Sequence, residues 1–158
     1  MPPSEQHIQQ AIHNLDFLTS FYKGHLYNDW AFTVGFYSAL HILENVIFVK
    51  KKLTYRSKEL TIEHADELPT CASKENIPAP QNFDTPISPH QFRNILVQEN
   101  FPDIAEFYML LYRQSRTARY KRYQFTNNDV NLIVKPALGK MVEWSNKSYS
   151  TSFVLNLS

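Results

Sequence analysis

Two groups of polar residues interrupt helical segments of this chain that are otherwise apolar, and both carry side chains capable of chemistry. The first group is Tyr37-Ser-Ala-Leu-His41, inside the apolar run 30–49. The second is Ser115-Arg-Thr-Ala-Arg-Tyr120, at the basic end of the run 104–125. A helix of a soluble protein normally keeps its charges on the outer face. A His and an Arg beside apolar stripes therefore predict a buried polar site between two helices.

His41 is the first candidate for proton transfer or ligand binding, because the unperturbed pKa of histidine lies near neutrality. On a helix, Tyr37, His41 and Glu44 fall on one face. The alternative interpretation is a core histidine that a neighbour satisfies, with Glu44 and Asn45 facing solvent. The sequence leaves both interpretations open.

Arg119 is the second candidate catalytic residue. It shares a helical face with Tyr108, Tyr112 and Ser115 and lies beside an apolar stripe. Because a buried arginine needs an acceptor, we expect it to be paired. One candidate partner is Glu44, which would form a structural salt bridge, and another is a phosphate group.

Basic and aromatic residues are interleaved around Arg119. Residues 107–128 contain five bases and no acid. This composition is typical of surfaces that bind RNA or single strands, although bases at a helix C-terminus also complement the helix dipole. The candidate ligand-contacting residues are Tyr37, Glu44, Tyr112, Arg113, Ser115, Arg116, Tyr120 and Arg122.

Composition limits the class of protein. A chain of 158 residues with 43% apolar residues predicts a single domain over 1–158, with a core at about 5–147. The net charge of +1 argues against a molecule that is basic all over. A single cysteine, Cys71, excludes intramolecular disulfides and fits a reducing cytoplasm.

No sequence motif indicates a metal or a cofactor, and we expect neither. His64 lies near Glu63 and Asp66, but this group lacks the spacing of a metal motif and indicates a solvated turn. The run 30–49 is about as long as a membrane span, but it carries clustered polar residues. We therefore expect a buried central helix in a cytoplasmic protein that does not enter a membrane.

Apolar periodicity and capping residues predict helices at about 4–23, 30–52, 89–100, 102–125 and 126–147, the last kinked at Pro136. Residues 55–68 are predicted to form a short polar segment with helical character. Five prolines predict a long loop over 69–89, and residues 148–158 a C-terminal tail. The expected fold is all-α, an antiparallel bundle of four to five helices with negligible sheet.

The chain resembles the HEPN superfamily of small all-helical domains. The resemblance lies in Asp29-Trp-Ala, Phe36-Tyr-Ser-Ala-Leu-His41 and Ser115-Arg-Thr-Ala-Arg-Tyr120, and it covers roughly residues 5–145. It implies an antiparallel helical bundle that often forms a homodimer, in nucleotidyltransferase, toxin–antitoxin or RNA-cutting defence systems. Active ribonucleases of the superfamily carry an Arg followed a few residues later by a His. Here the nearest case, Arg56 and His64, has seven intervening residues.

The sequence therefore favours an HEPN-like protein that binds RNA or a nucleotide, or that serves as a partner subunit in a defence or toxin–antitoxin system. One alternative is a metal-independent ribonuclease in which His41 is the acid or base and Arg119 stabilises developing charge. Another is a protein-interaction module with a structural polar core. Enzymatic activity is left open by the sequence.

Overall fold

The computed structural model describes residues 3–24, 27–78, 87–121 and 125–157, and it is mostly helical. The helices predicted at 4–23, 30–52 and 89–100 agree with the structure to within two residues at each end. The helices are α1 (Pro3–Tyr22), α2 (Asn28–Lys50), α3 (Leu68–Lys74), α4 (Pro89–Asn100), α5 (Pro102–Tyr120), α6 (Asn127–Asp129) and α7 (Lys135–Tyr149).

Helix α2 is the centre of the protein, because its apolar residues cover nearly its whole circumference. It packs against α1, α5 and α7. By length and composition α2 could cross a membrane, but 78% of its most apolar window is buried inside the protein. Such burial is what a core helix of a soluble protein shows.

A β-hairpin follows α2 and corrects the expectation of negligible sheet. Strands β1 (Lys52–Tyr55) and β2 (Lys58–Thr61) pair antiparallel, and Leu53, Tyr55 and Leu60 are buried. The turn residues Arg56 and Ser57 have positive φ angles of 50° and 66°, as a two-residue hairpin turn requires. The sequence concealed the hairpin, since four-residue strands show little alternation and the turn lacks the usual Asn-Gly.

The region predicted as a long loop over 69–89 is partly helical. Helix α3 occupies its first residues, with Pro69 in the first turn, where a missing backbone N–H breaks no helical hydrogen bond. Residues 79–86 lie outside the described part of the chain. Helix α4 then starts as predicted at Ser88-Pro89, where the Ser88 hydroxyl and the Gln91 side chain form a reciprocal capping box.

The C-terminal region also differs in detail from the prediction. Helix α5 ends at Tyr120, and residues 122–124 of its predicted last turn lie outside the described residues. The predicted capping box of Thr126 and Asp129 is confirmed. A π-helical turn, Val130–Val134, leads into α7, which has Pro136 in its first turn.

Residues 150–157 fold back as an irregular strap. The side chain of Asn146 anchors this strap by accepting from the N–H of Phe153 at 2.9 Å and donating to its carbonyl at 2.8 Å. Phe153 and Leu157 are buried. The predicted C-terminal tail therefore begins two residues later than expected, and two of its side chains pack into the core.

Two helical glycines give a matched test of how tightly α2 packs. An alanine Cβ at Gly35 would lie 2.8 Å from Cγ1 of Val134, whereas at Gly139 it would meet nothing within 4 Å. We expect Gly35→Ala to lower the free energy of unfolding by about 1 kcal/mol or more, because overpacking outweighs the gain in helix propensity. Gly139→Ala should raise it by about 0.5–1 kcal/mol. Urea unfolding of both variants checks the opposite signs, and equal stabilisation by both would contradict the close packing.

Candidate functional site

A pocket between α4 and α5 brings the conspicuous residues of α5 together with the first turn of α4. The pocket has a volume of about 260 Å³, and none of the described residues that line it carries a carboxylate. We name it the arginine pocket. It is lined by Ser88, His90, Tyr112, Arg116, Arg119 and Tyr120.

Arg119 is held in this pocket by aromatic rings and neutral oxygens. Its guanidinium carbon lies 5.8 Å from the ring centre of Tyr37 and 5.3 Å from that of Tyr120. Its Nε donates to the carbonyl of Ser115 at 3.3 Å, and its Nη1 lies 3.5 Å from the Tyr37 hydroxyl. Within the described part of the chain, no carboxylate forms an ion pair with Arg119. Its charge is therefore available to a ligand.

Arg116 lies one turn earlier on α5, and its guanidinium also lies over a tyrosine ring. Its Nη1 donates to the hydroxyl of Tyr112 at 3.1 Å, and its guanidinium carbon lies 5.8 Å from that ring centre. Arg116 is exposed, and it too has no carboxylate partner among the described residues. Arg113 is exposed but does not line the pocket.

His90 completes the pocket, and the sequence analysis did not select it. It lies in the first turn of α4, and its ring is 5.9 Å from that of Tyr112 between centres. Its Nδ1 is buried without a hydrogen-bond partner. Burial, together with the positive charges of Arg93 and Arg119, lowers the pKa of His90 below its ordinary value. The signal that could have revealed it was the Ser88-Pro89 cap, which fixes where α4 begins.

Glu44 forms a buried ion pair with Arg93 of α4. Its carboxylate accepts from Nε of Arg93, and both residues are buried, with exposures of 0% and 7%. Burial alone would lower the pKa of Arg93, but the charge and hydrogen bond of Glu44 raise it above the ordinary value. Two expectations are thus corrected: Glu44 and Asn45 do not face solvent, and Glu44 does not pair with Arg119. Helical periodicity could not reveal a partner 49 residues away.

His41 belongs to a second polar group, which we name the histidine–carboxylate cluster. The Nδ1 atoms of His41 and His7 lie 3.0 Å apart, in hydrogen-bond contact. Burial, followed by the nearby His7, lowers the pKa of His41 to about 4. Its imidazole is therefore neutral at physiological pH. The cluster comprises His7, His41, Glu44, His64, Asp66 and Arg93.

His64 packs into this cluster, whereas the sequence indicated a solvated turn. Its Nε2 lies 3.5 Å from Oε2 of Glu44, and its side chain is 26% exposed. On the other side of the ring, Nδ1 accepts from the backbone N–H of Asp66 at 3.2 Å. The short 3₁₀ helix Ala65–Glu67, which follows the unpredicted hairpin, holds His64 in this position.

The structure separates the two predicted catalytic candidates into neighbouring groups. No hydrogen bond or ring contact joins His41 to Arg119, although Tyr37, which Arg119 contacts, lies one turn before His41 on α2. Ser115 is fully buried under the pocket with an unpartnered Oγ, and Arg122 lies outside the described residues. Of the predicted ligand-contacting residues, the pocket brings together Tyr112, Arg116 and Tyr120, and it adds the catalytic candidate Arg119.

An aromatic groove lies where α1 ends and α2 begins. It has a volume of about 300 Å³ and is lined by Phe17, Phe21, Tyr27 and Trp30. Phe17, Tyr27 and Trp30 are each at least half exposed, at 50%, 64% and 55%. Large exposed aromatic side chains in one patch are uncommon on a protein surface that contacts only water.

No family model matches this chain, and no curated protein or solved structure matches it. We therefore infer function from the geometry of the arginine pocket, the histidine–carboxylate cluster and the aromatic groove.

Proposed function

We propose that this chain is an atypical HEPN-like protein of the cytoplasm that binds RNA or a nucleotide through the arginine pocket. It would do so by itself or as a partner subunit in a defence or toxin–antitoxin system. The packing of α1, α5 and α7 around α2 supports an antiparallel bundle of four to five helices. The positions of Tyr37 and Arg119 across that packing support the resemblance.

The observation that carries this proposal is a pocket whose described lining has two arginines and no carboxylate. Guanidinium groups bind phosphate oxygens through paired N–H donors. Arg116 and Arg119 lie against tyrosine rings, which orient the guanidiniums and leave N–H groups for a ligand. Tyr120 is 67% exposed, and an exposed ring of this kind is a platform on which an unstacked base can lie.

A salt titration of binding tests the proposal directly. A labelled single-stranded RNA should bind the wild-type protein at low salt, as measured by fluorescence anisotropy. The logarithm of the association constant should fall linearly with the logarithm of salt concentration, by about 0.7 for each phosphate neutralised. Two pocket arginines would account for a slope of about −1.4. Absence of RNA and nucleotide binding at low salt would contradict the proposal.

RNA cleavage is the second candidate function, and His90 favours it. The sequence assigned the acid or base role to His41, but His90 lines the pocket and His41 does not. A neutral imidazole can take the proton of a ribose 2′-hydroxyl, while Arg119 stabilises the charge that develops on phosphorus oxygens.

We expect any RNA cleavage measured in EDTA to fall by about 100-fold or more in His90→Gln, the effect typical of losing an acid or base. RNA affinity should change little. The matched control is His13→Gln, since His13 is exposed on α1. Cleavage that survives His90→Gln but is lost in His41→Gln would return the role to His41. If the wild-type protein does not cleave RNA, the ribonuclease proposal is wrong and only the binding function remains.

We further propose that the aromatic groove joins two copies of the chain, as the resemblance implies. Its exposed rings support this surface as an interface. Substitution of Trp30 by Ser should then shift the mass measured by light scattering towards the monomer. A monomeric wild-type protein would exclude the homodimer.

A further inference from the structure

One carboxylate oxygen in the histidine–carboxylate cluster makes no hydrogen bond to the described residues. Glu44 is fully buried; its Oε1 accepts from Arg93, whereas its Oε2 makes no hydrogen bond. Leaving such an atom unsatisfied inside a protein is unfavourable, and more so when the group is charged. Two histidines from different parts of the chain, His7 and His64, lie near this carboxylate.

These three side chains have the dimensions of a metal site. One ligand atom from each of His7, Glu44 and His64 lies within 4.8 Å of the others. The separation of Nε2 of His64 and Oε2 of Glu44 is 3.5 Å. Two ligands about 2.0–2.1 Å from a tetrahedral metal ion lie about 3.3 Å apart. The His64–Glu44 pair is therefore already close to the required spacing, and a small movement of the His7 ring would complete the set.

Neighbouring groups hold the ligands as they do in known metal sites. His41 contacts Nδ1 of His7, which leaves the Nε2 of His7 for a metal. Oδ2 of Asp66 lies 3.5 Å from Nδ1 of His64. A metal ion on Nε2 would move the ring proton to Nδ1, which would then donate to Oδ2 of Asp66 in place of accepting from the backbone N–H of Asp66. Arg93 fixes the other oxygen of Glu44.

The charges of the cluster also suit a cation. Arg93 is positive, but it contacts both Glu44 and Asp66, with a distance of 3.1 Å to Oδ1 of Asp66. Two carboxylates thus share one guanidinium. A divalent ion would find one unbalanced negative charge and an oxygen with no competing hydrogen bond.

We propose that His7, Glu44 and His64 bind a divalent transition-metal ion, of which Zn²⁺ suits two imidazoles and a carboxylate best. The site goes beyond the proposed RNA-binding function and does not depend on it. It would tie together the first turns of α1, the middle of α2 and the segment that follows the hairpin. The sequence analysis expected no metal, since these three residues have no motif spacing.

The test uses the full chain without an affinity tag, stripped of metal by a chelator. Zinc should bind with a stoichiometry of one per chain in a calorimetric titration. At a free Zn²⁺ concentration about 100 times Kd, the melting temperature should rise by about 5–10 °C. Failure to bind one equivalent, or a melting temperature that zinc does not raise, would overturn the proposal.

Variants separate this site from binding elsewhere on the surface. His7→Gln and His64→Gln should each weaken Zn²⁺ binding by about 100-fold or more, because removing a ligand weakens binding more than removing its outer partner does. The control His13→Gln, on the exposed face of α1, should bind zinc as the wild type does. Unchanged affinity in His64→Gln, or an equal loss in His13→Gln, would overturn the assignment.

Cobalt gives a readout that does not depend on the folding of the variants. Co²⁺ added to the metal-free wild-type protein should give the intense visible absorption of a four-coordinate ion, and Zn²⁺ should abolish it. The weak spectrum of a six-coordinate aqueous ion would contradict a site built from these three ligands.

Discussion

Substitution of Arg93 by Met should lower the free energy of unfolding by about 3–5 kcal/mol, the largest stability effect that we expect from one side chain. Arg93 is 7% exposed and is the partner of the fully buried Glu44. Without it, the Glu44 carboxylate keeps its charge inside the core with no cation beside it. Urea unfolding in the presence of a chelator, which removes any metal contribution, measures the change.

The double variant Arg93→Met/Glu44→Leu is the control. It replaces both charges with apolar groups of similar volume, a change that is often nearly neutral in buried ion pairs. It should therefore recover most of the stability lost in Arg93→Met. The buried hydroxyl of Tyr108, which has no hydrogen-bond partner, adds to the polar character of this region. A single variant as stable as the wild type would show that the ion pair does not hold α2 to α4.

The long helices could be predicted from the sequence, because the residues that mark where a helix begins are close together in the chain. Ser88-Pro89 marks the start of α4, and a capping box over Thr126 and Asp129 marks the start of α6. Each signal depends on residues that are three or four positions apart, and those residues are neighbours in any helix. The hairpin over 52–61 was missed because its pairing depends on a tight turn of unusual composition.

The candidate site was predicted in part for the same reason. Tyr112, Arg116 and Arg119 lie on one stretch of α5, and helical geometry alone groups them. The addition of His90 depends on how α4 packs on α5, which no local pattern records. Glu44 illustrates the limit most clearly, since it pairs with Arg93 and not with Arg119, the candidate partner considered from the sequence.

The histidine–carboxylate cluster could not be predicted from spacing. Its histidines lie at positions 7, 41 and 64, on two helices and on a segment after an unpredicted hairpin. Burial of Glu44 was also hidden, because a polar residue on an apolar helix can face either solvent or a buried partner. Only the packing of α4 against the region around His64 distinguishes these two cases.

Substitution of both pocket arginines, Arg116→Gln with Arg119→Gln, should weaken binding of single-stranded RNA at low salt by about 100-fold. Each arginine that contacts a phosphate contributes about 1.5–3 kcal/mol through charged hydrogen bonds, which corresponds to tenfold or more in affinity. Neither arginine has a carboxylate partner within the described residues, so neither substitution leaves a buried anion. The melting temperature should therefore stay within a few degrees of the wild type.

The most direct test of the central claim compares three proteins by fluorescence anisotropy at low and at physiological salt. These are the wild type, the double arginine variant, and a control, Lys74→Gln/Lys135→Gln, which loses the same charge at two exposed positions outside the pocket. The account predicts that the control binds RNA as the wild type does, while the arginine variant loses affinity and shows a shallower salt dependence. Equal loss in both variants, or no loss in the arginine variant, would contradict a phosphate-binding arginine pocket.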